Sequence, residues 1–370
     1  MKIGIDIRST LKTKTGIGYY TLNLINSIAG VDSDNSYYLY SYIRPFDLKR
    51  KVPRLPGNNF EHRIDRFRFR PDIKMRDVDV FHTSSYDVPD FKSGRTKLIS
   101  TIHDIIPLVY REGYPEEVLE NLENKVRATL KRSDLIVVDS INTRRDLEEK
   151  FSHHAGKIRV AYPGRDESFS PITDKEKIRE CIKQKYGINK EFILFIGTIE
   201  KRKNVKGLIQ AFCELKRERK IPHSLVIIGK KGWGGEPALD LLQSLGEFKN
   251  EICLPGYIKR EDLVLFYNAA KLFVYPSFYE GFGFPILEGF SCGVPVITSS
   301  TTSCGEIAGD GAYTLIPGDI AALKEAIYTV LYDKATRNDL TSRGFNRARM
   351  FSWENTARVF VDIFGQITKR

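Results

Sequence analysis

Residues 275–298 read YPSFYEGFGFPILEGFSCGVPVIT, and this stretch decides the fold class. It begins as the end of an apolar strand that runs into a glycine-rich loop. Pro285 suits the first turn of a helix, and Gly293 suits the end of that helix. A strand, a loop and a helix in this order form the repeating unit of parallel α/β proteins, in which ligands bind beyond the carboxyl ends of the strands.

The same alternation extends along both halves of the chain. We predict first-half strands at 2–7, 37–43, 78–82, 98–102 and 135–139, and helices at 17–29 and 116–131. The second half is predicted to have strands at 192–196, 225–228, 252–254, 272–275 and 294–298, and a last helix at 353–367. Turn residues at Tyr162-Pro163-Gly164, or at 168–173, mark a domain boundary. The pattern predicts an α/β fold with two Rossmann-like domains.

Composition restricts the class of protein. Of the 370 residues, 41% are hydrophobic, which is enough for two cores. We find no apolar run near the ~18 residues that a membrane helix needs, and the N-terminus does not resemble a signal peptide. These features predict a cytoplasmic protein. The five cysteines form no close pair and are predicted to be buried thiols rather than disulfides or zinc ligands.

The positive charge is concentrated in one segment. Residues 41–76 contain eleven Lys or Arg and four Asp or Glu, a local net charge of +7, and the whole chain carries +11. The segment is either a solvated loop region or a surface for an anionic membrane or a phosphate-bearing acceptor. No nucleic-acid-binding motif accompanies the charge, so nucleic acid is not predicted as a partner.

The motif at 275–298 carries two glutamates near one helix start. Glu280 lies in the loop, and Glu288 lies in about the first turn of the helix. Backbone N–H groups at Gly281 and Gly283 are placed to approach an anion, and the helix N-terminus favours negative charge. Carboxylates also accept hydrogen bonds from vicinal sugar hydroxyls. The alternative is that the glutamates cap the helix and that the glycines only make a turn.

A basic loop follows another predicted strand. Residues 192–204 read FILFIGTIEKRKN, so the strand ends at Gly197 and the loop presents Lys201, Arg202 and Lys203 before a helix. Two such cations at a helix N-terminus suit a diphosphate. The alternative is a solvated basic turn.

Two first-half segments also lie at predicted ligand-binding positions. Gly16-Ile-Gly18 opens the first helix, so its amides can face a phosphate or a sugar, or it can be a tight turn. His103-Asp104 directly follows the strand at 98–102, where His103 would face a cleft between the domains. His153, His154 and His223 are interpreted as structural.

These segments together resemble the retaining glycosyltransferases of family 4, which have the GT-B fold. EGFGFPILE at 280–288 is similar to the paired-glutamate motif of that family, and the segments at 16–18, 103–104, 162–164, 197–204 and 351–354 recur in order. The most similar subgroup transfers mannose from GDP-mannose in surface polysaccharide synthesis. Lys201 and Arg165 depart from the family pattern, because proline and a small apolar residue are usual at these positions.

The resemblance implies two facing domains and a last helix that crosses back to the first. The acceptor-side domain would comprise 1–165 with 354–370, and the nucleotide-sugar domain 166–353. The implied activity is retaining transfer of a hexose, with mannose the best candidate, from a nucleotide-diphosphate sugar to a glycan or a lipid-diphosphate acceptor. The donor is a substrate, so no cofactor is expected. Peripheral contact with the inner membrane face through 41–76 is a further hypothesis.

The resemblance also implies roles for residues. Glu288 would hold the ribose, and Glu280 the donor sugar. Arg202 and Lys203 would bind the diphosphate. His103, with its neighbour Asp104, would be catalytic beside the sugar and the acceptor. The remaining predicted donor-binding residues are backbone positions, namely Gly16, Gly18, Gly281, Phe282, Gly283 and Phe284.

No metal site is predicted. Asp77-Val-Asp79 matches the DxD pattern by which other glycosyltransferases hold a metal, but it leads directly into a strand and is interpreted as a turn. Three alternatives to a glycosyltransferase remain open. They are a nucleotide-sugar epimerase of the same fold, a non-catalytic nucleotide-sugar-binding protein, and a basic nucleic-acid- or membrane-binding module that relies on residues 41–76.

Overall fold

The computed structural model describes residues 1–11, 16–47, 51–66, 69–86, 88–89, 91 and 95–369. The chain divides into two compact units. The first unit comprises Met1–Leu108, Glu117–Gly164 and Phe351–Arg370, and the second comprises Val109–Glu116 and Arg165–Met350. This division differs from the predicted domain boundaries at three places. Residues 109–116 and Arg165 belong to the second unit, and residues 351–353 belong to the first.

Strands and helices alternate along the chain. The strands are β1 (Lys2–Asp6), β2 (Ser36–Tyr42), β3 (Phe60–Asp65), β4 (Val80–Thr83), β5 (Lys97–Ile102), β6 (Leu135–Val138), β7 (Ile158–Val160), β8 (Phe192–Ile196), β9 (Ser224–Ile228), β10 (Ile252–Gly256), β11 (Leu272–Tyr275), β12 (Val296–Ser299) and β13 (Tyr313–Leu315). The helices are α1 (Gly16–Val31), α2 (Pro71–Lys74), α3 (Ile106–Val109), α4 (Glu116–Arg132), α5 (Ile141–Lys150), α6 (Lys175–Tyr186), α7 (Val205–Arg219), α8 (Glu236–Gln243), α9 (Arg260–Ala269), α10 (Phe284–Cys292), α11 (Thr302–Ala308), α12 (Ile320–Tyr332), α13 (Lys334–Arg349) and α14 (Trp353–Thr368).

Each unit contains one parallel sheet in the described residues. The first has the order β3-β2-β1-β4-β5-β6-β7, and the second has the order β10-β9-β8-β11-β12-β13. In both sheets the strand order reverses beside the first strand, between β1 and β4 or between β8 and β11, as it does in Rossmann-type sheets. β8, β9, β11 and β12 are buried at every position, because helices cover both faces of a parallel sheet.

The last helix completes the core of the first unit. α14 packs on α1, and its buried side chains Ala357, Phe360, Ile363 and Phe364 join one cluster with apolar residues of β1 and α1. The Thr356 hydroxyl donates to the Tyr162 carbonyl at 2.7 Å. This hydrogen bond holds the first turn of α14 beside residues 162–164, just before the chain enters the second unit. The prediction that this helix returns to the first domain is therefore confirmed.

The basic segment is more ordered than the sequence suggested. β3 (Phe60–Asp65) runs through it as an edge strand, so the interpretation of a solvated loop region is wrong for these residues. Only Phe60 of β3 is buried, and this weak apolar pattern explains why the strand was not predicted. The short edge strands β7 and β13 were missed for the same reason. Lys49, Arg50 and Arg68 lie outside the described residues.

The cysteines and the helices bear on two further predictions. All five cysteines are free thiols, of which Cys213, Cys292 and Cys304 are buried and Cys181 and Cys253 are partly buried. Within the described ranges, no helix has the length and apolarity required to cross a bilayer.

Candidate functional site

The paired-glutamate motif has the predicted local structure in the second unit. β11 ends at Tyr275, a loop carries Glu280, and α10 begins at Phe284. Gly283 precedes the helix with a φ of 109°, a left-handed conformation that a side chain strongly disfavours. Gly293 ends the helix at a φ of 74°. The sequence therefore specifies how Glu280 and Glu288 reach the carboxyl edge of the sheet.

Glu280 is buried and surrounded by donors. Its Oε1 accepts hydrogen bonds from Lys203 Nζ at 2.9 Å, the Tyr275 hydroxyl at 2.7 Å and the Ser277 hydroxyl at 3.0 Å. Its Oε2 lies 2.7 Å from Arg202 Nη1. Burial alone would raise the pKa of Glu280, but Lys203 and Arg202 lower it to about 2. The carboxylate is thus permanently charged near neutral pH, and it is not a proton donor.

The predicted basic loop is folded into this cluster. Arg202 Nε donates to Glu200 at 2.7 Å, and Arg202 Nη1 donates to the Tyr279 carbonyl at 3.0 Å. Burial alone would lower the pKa of Arg202, but Glu280 and Glu200 raise it. The side chains of Arg202 and Lys203 are only 14% and 8% exposed. The solvated-turn alternative is therefore wrong for both residues.

Glu288 belongs to a second, partly buried cluster of the same unit. The Tyr267 hydroxyl donates to Glu288 Oε2 at 2.9 Å, and Arg260 lies 3.7 Å from Oε1. Arg260 is itself paired with Asp166 at 2.5 Å. Burial raises the pKa of Glu288, and Arg260 only partly opposes that effect. Because Arg260 is shared with Asp166, Glu288 has weaker charge compensation than Glu280.

The backbone positions of the motif lie where they were predicted. Gly281, Phe282 and Gly283 are buried in the loop, and Phe284 is the first residue of α10. The rings of Phe282 and Phe284 contact each other with centroids 4.8 Å apart. Their binding of a donor stays a prediction.

His103 follows β5 in the first unit and is paired with a residue that the sequence analysis missed. Its Nδ1 lies 2.7 Å from Asp139 Oδ2, at the end of β6. Burial alone would lower the pKa of His103, but the Asp139 carboxylate outweighs it and the pKa is raised. The Tyr20 ring meets the imidazole edge-on at 4.7 Å. The interaction with Asp139 orients the ring, and Nδ1 donates to this carboxylate.

Asp104 has a structural role. Its Oδ1 accepts from the Ile106 backbone N–H at 3.0 Å at the start of α3, and its carbonyl accepts from the Tyr86 hydroxyl at 2.8 Å. These contacts explain the position of Asp104, and its catalytic role stays a prediction.

The Gly16-Ile-Gly18 segment opens α1 as predicted. A Cβ on Gly18 would lie 2.6 Å from the Ser9 carbonyl oxygen, so this glycine permits close packing of the helix on residues 8–10. A Cβ on Gly16 would meet no atom within 4 Å. Close packing is thus enough to explain Gly18. Binding of the nucleotide-sugar donor by Gly16 or Gly18 stays a prediction.

A cavity of about 820 Å³ lies in the first unit beside His103. Asp104, Thr101 and the ion pair of Arg8 with Asp6, 2.7 Å long, line it together with His103. The walls combine charged groups and hydroxyls, which suits a polyhydroxylated ligand.

Known proteins resemble this chain in sequence and in fold. The family profile "Glycosyl transferases group 1" matches residues 178–347, and the profile "Glycosyltransferase Family 4" matches residues 15–169. The chain is 35% identical over 277 residues to O-antigen chain mannosyltransferase B of Escherichia coli, covering 75% of this chain and 71% of that protein. The chain belongs to the family 4 glycosyltransferases.

Other relatives of this glycosyltransferase agree in class and fold. Serotype-specific mannosyltransferase WbdA of Escherichia coli is 30% identical over 274 residues, which are 73% of this chain but only 34% of that longer protein. Sucrose-phosphate synthase from Thermosynechococcus elongatus superimposes with a TM-score of 0.75 at 19% identity over 99% of each chain. The GT-B fold and the glycosyltransferase class are therefore confirmed, and the epimerase and non-catalytic alternatives are not favoured.

The DxD segment of the enzyme has a structural explanation. Asp77 pairs with Arg63 at 2.5 Å, and Asp79 accepts from the Lys2 backbone N–H at 2.8 Å just before β4. These partners confirm the interpretation of a turn. Among the residues that the structure describes, no group of three or more His, Cys, Asp or Glu is arranged to hold a metal ion.

Several partners in these clusters were absent from the sequence-based site. Asp139 ends a predicted strand and could have been found by its position there. Tyr275 and Ser277 flank the glutamate motif itself. Tyr267 and Arg260 lie on α9 and carry no strand-end signal, so only the folded structure reveals them.

Proposed function

We propose that this enzyme transfers mannose from GDP-mannose, with retention of the anomeric configuration, to a glycan or lipid-linked acceptor in surface polysaccharide synthesis. The observation that carries the proposal is the 35% identity to an O-antigen chain mannosyltransferase over three-quarters of the chain. The buried pairing of Glu280 with Arg202 and Lys203 supports it, because charge compensation of a leaving diphosphate is the dominant need of such a reaction.

The cations of the second unit are preorganised for an anion. Glu280 and Glu200 balance Arg202 and Lys203, so the side chains stay fixed before any donor arrives. Fixed donors need no reorganisation when charge develops on the leaving diphosphate. In this proposal Arg202 and Lys203 contact the diphosphate, and Glu280 holds them while accepting from a sugar hydroxyl.

The first unit supplies the proposed acceptor side. Asp139 binds Nδ1 of His103, so Nε2 is the ring nitrogen left for a ligand. The raised pKa of His103 favours the protonated ring, in which Nε2 would donate to an oxygen of the transferred sugar or of the acceptor. The acceptor proton would pass to the donor phosphate on the face from which the diphosphate departs.

A donor screen tests the proposal. The purified enzyme is titrated with GDP-mannose, GDP-fucose, UDP-glucose and ADP-glucose, and the thermal unfolding midpoint is recorded for each. A donor at about 100 times its Kd stabilises by ~2.7 kcal/mol. We expect the largest shift with GDP-mannose, and transfer to a mannose-terminated oligosaccharide. Turnover of the donor to an epimer without acceptor would instead support the epimerase, and binding without turnover the non-catalytic protein.

Glu288→Ala is expected to weaken donor and free-nucleotide binding alike, by about tenfold or more, because a buried carboxylate that accepts two ribose hydroxyls acts in ground and transition states. The measurement is the Kd of donor and of nucleoside diphosphate by calorimetry. Glu261→Ala, an exposed residue of α9, is the matched control. Equal Kd values for Glu288→Ala and the control would refute the ribose role.

Activity is expected to survive a strong chelator. The diphosphate charge is assigned to Arg202 and Lys203 instead of a metal ion. The initial rate is measured after incubation with EDTA and removal of the chelated metals. Loss of the rate, with recovery on adding manganese or magnesium, would contradict this prediction.

We further propose that the segment 41–76 contacts an anionic membrane. Exposed apolar side chains, Phe46 at 98% and Ile73 at 51%, lie in the same segment as the exposed cations Lys74 and Arg76. Apolar groups surrounded by lysine and arginine are typical of peripheral membrane surfaces. Each cation near an anionic leaflet contributes ~1 kcal/mol at low salt.

Replacing Arg66, Lys74 and Arg76 by serine is expected to abolish sedimentation with anionic liposomes at low salt. The replacement of Arg144, Arg145 and Lys150 of α5 removes the same charge elsewhere and serves as control. Binding is measured with anionic and neutral liposomes across a salt series. If binding to both liposome types is equally weak, and neither triple variant changes it, the segment 41–76 is a solvated surface and does not contact the membrane.

A further inference from the structure

Two serine hydroxyls hold the loop that carries Glu280. Residues 276–283 lie between β11 and α10, so their backbone is outside the regular hydrogen bonds of the sheet and the helices. Ser299 Oγ donates to the Ser277 carbonyl at 2.5 Å. Ser303 Oγ donates to the Glu280 carbonyl at 2.7 Å. All four residues are at most 7% exposed, so water does not compete for either bond.

The two serines belong to the chain segment that lies next to the Glu280 loop. Ser299 ends β12, which lies beside β11 in the sheet, and Ser303 lies in the first turn of α11. The Glu280 carboxylate contacts four donor side chains at 3.0 Å or less. A small shift of the loop backbone would therefore break several of these contacts at once, because hydrogen bonds weaken steeply as their geometry is lost.

The backbone just before Ser303 is strained. Thr302 has a φ of 56°, in the left-handed region, which is unfavourable for a β-branched residue. The Ser300 N–H donates to the Leu315 carbonyl at 2.8 Å, and a Cβ on Gly305 would lie 2.3 Å from the Ser300 carbonyl oxygen. The surroundings thus hold Thr302 in this conformation, and strain that is retained in this way is typical of functional sites. This observation is independent of the hydroxyl contacts.

We propose that Ser303 is a positioning residue for the binding and transfer of the donor sugar. Ser303 is fully buried, so it does not contact a ligand itself. Its hydroxyl fixes the backbone of Glu280, and thereby the carboxylate that holds Arg202 and Lys203. Ser299 supports the same loop three residues earlier. This role of Ser303 rests on the proposed function of Glu280 in holding the diphosphate-binding cations.

The kinetics of Ser303→Ala measure the contribution of the hydroxyl. With the donor that the thermal screen identifies, we expect kcat to fall about tenfold or more, since a buried carbonyl is left without its donor. The Kd of the free nucleoside diphosphate should change by a smaller factor, because the Glu288 cluster is unaltered. Ser224→Ala is the matched control and should keep the wild-type kcat. Ser224 is 2% exposed at the amino end of β9, the sheet edge opposite the Glu280 loop.

A double-mutant cycle separates positioning from a general contribution to stability. In Glu280→Ala the carboxylate is already absent, so the further change Ser303→Ala should alter kcat by no more than about twofold. Ser299→Ala should give the same result in this cycle, and it replaces Ser303→Ala if that variant does not fold. A hydroxyl that supports only the overall fold would lower kcat by the same factor in both backgrounds, and this result would overturn the proposal.

Glycine and alanine at position 302 test the strain. At an ordinary helical position, alanine is more stabilising than glycine. At a φ of 56° the order reverses, because glycine adopts this conformation without strain and alanine does not. We therefore expect Thr302→Gly to have a higher thermal unfolding midpoint than Thr302→Ala. The usual order, with Thr302→Ala the more stable variant, would overturn the strained placement of Ser303.

The kinetic results distinguish failure of this proposal from failure of the proposed function. If Glu280→Ala loses kcat and Ser303→Ala keeps the wild-type value, Ser303 is not a positioning residue and the donor site stands. If Glu280→Ala itself keeps the wild-type kcat, the donor role of Glu280 and the positioning role of Ser303 both fail. Circular dichroism of each variant verifies that the compared kcat values come from folded protein.

Discussion

Glu280→Ala is expected to lower kcat by about two orders of magnitude, the effect typical of removing one element of a preorganised charge-stabilising site. Arg202 and Lys203 lose the carboxylate that holds them, so they are no longer fixed where the leaving diphosphate develops charge. The measurement is kcat and KM with the donor that the screen identifies. Glu261→Ala is the control, and a kcat for Glu280→Ala equal to that of the control would refute the assignment.

The same change should be visible in stability and its pH dependence. Removing one partner of a buried ion cluster costs about 3–5 kcal/mol. The folded-state pKa of Glu280 is about 2, and the unfolded value is about 4.3. A depressed carboxyl pKa stabilises above the unfolded pKa and loses that effect as the pH falls through the folded pKa. The advantage of wild type over Glu280→Gln, measured by urea unfolding, should thus be constant above about pH 5 and shrink towards pH 2.

Phe360→Ala is expected to destabilise the first unit by about 3–5 kcal/mol, because the ring is fully buried and its loss leaves a cavity. The ring packs against His82 at 4.9 Å and Phe364 at 5.9 Å. Val359→Ala, at a 37% exposed neighbour on the same helix, is the matched control. The measurement is thermal and urea unfolding followed by circular dichroism.

Truncation before Trp353 extends this test. Removal of α14 would expose the apolar face of α1 and β1, so we expect insoluble or unfolded protein. A truncated chain that stays soluble, with the wild-type unfolding midpoint, would contradict the role given to α14 in this core.

The sequence predicted the fold and the paired-glutamate site because both rest on local patterns. Apolar strands that end in glycine loops identified the loops of Glu280, Arg202 and His103, since side chains at strand ends meet at one sheet edge. The pairing of Arg202 with Glu280 joins positions 78 residues apart, and no local pattern carries such a contact. The contacts of Arg260 and Tyr267 with Glu288 also join distant positions that no local pattern links. β3 was missed because its residues HRID have no apolar alternation.

The return of α14 to the first unit sets the order in which the protein can fold during synthesis. The ribosome makes residues 165–350 between the body of the first unit and the helix that completes its core. At 5–20 residues per second, those 186 residues take about 10–40 seconds. During this time the nascent chain exposes the apolar face of α1 while the second unit is still being made. The half made first therefore finishes folding last, and it is the part of the nascent chain with the greatest need for chaperones.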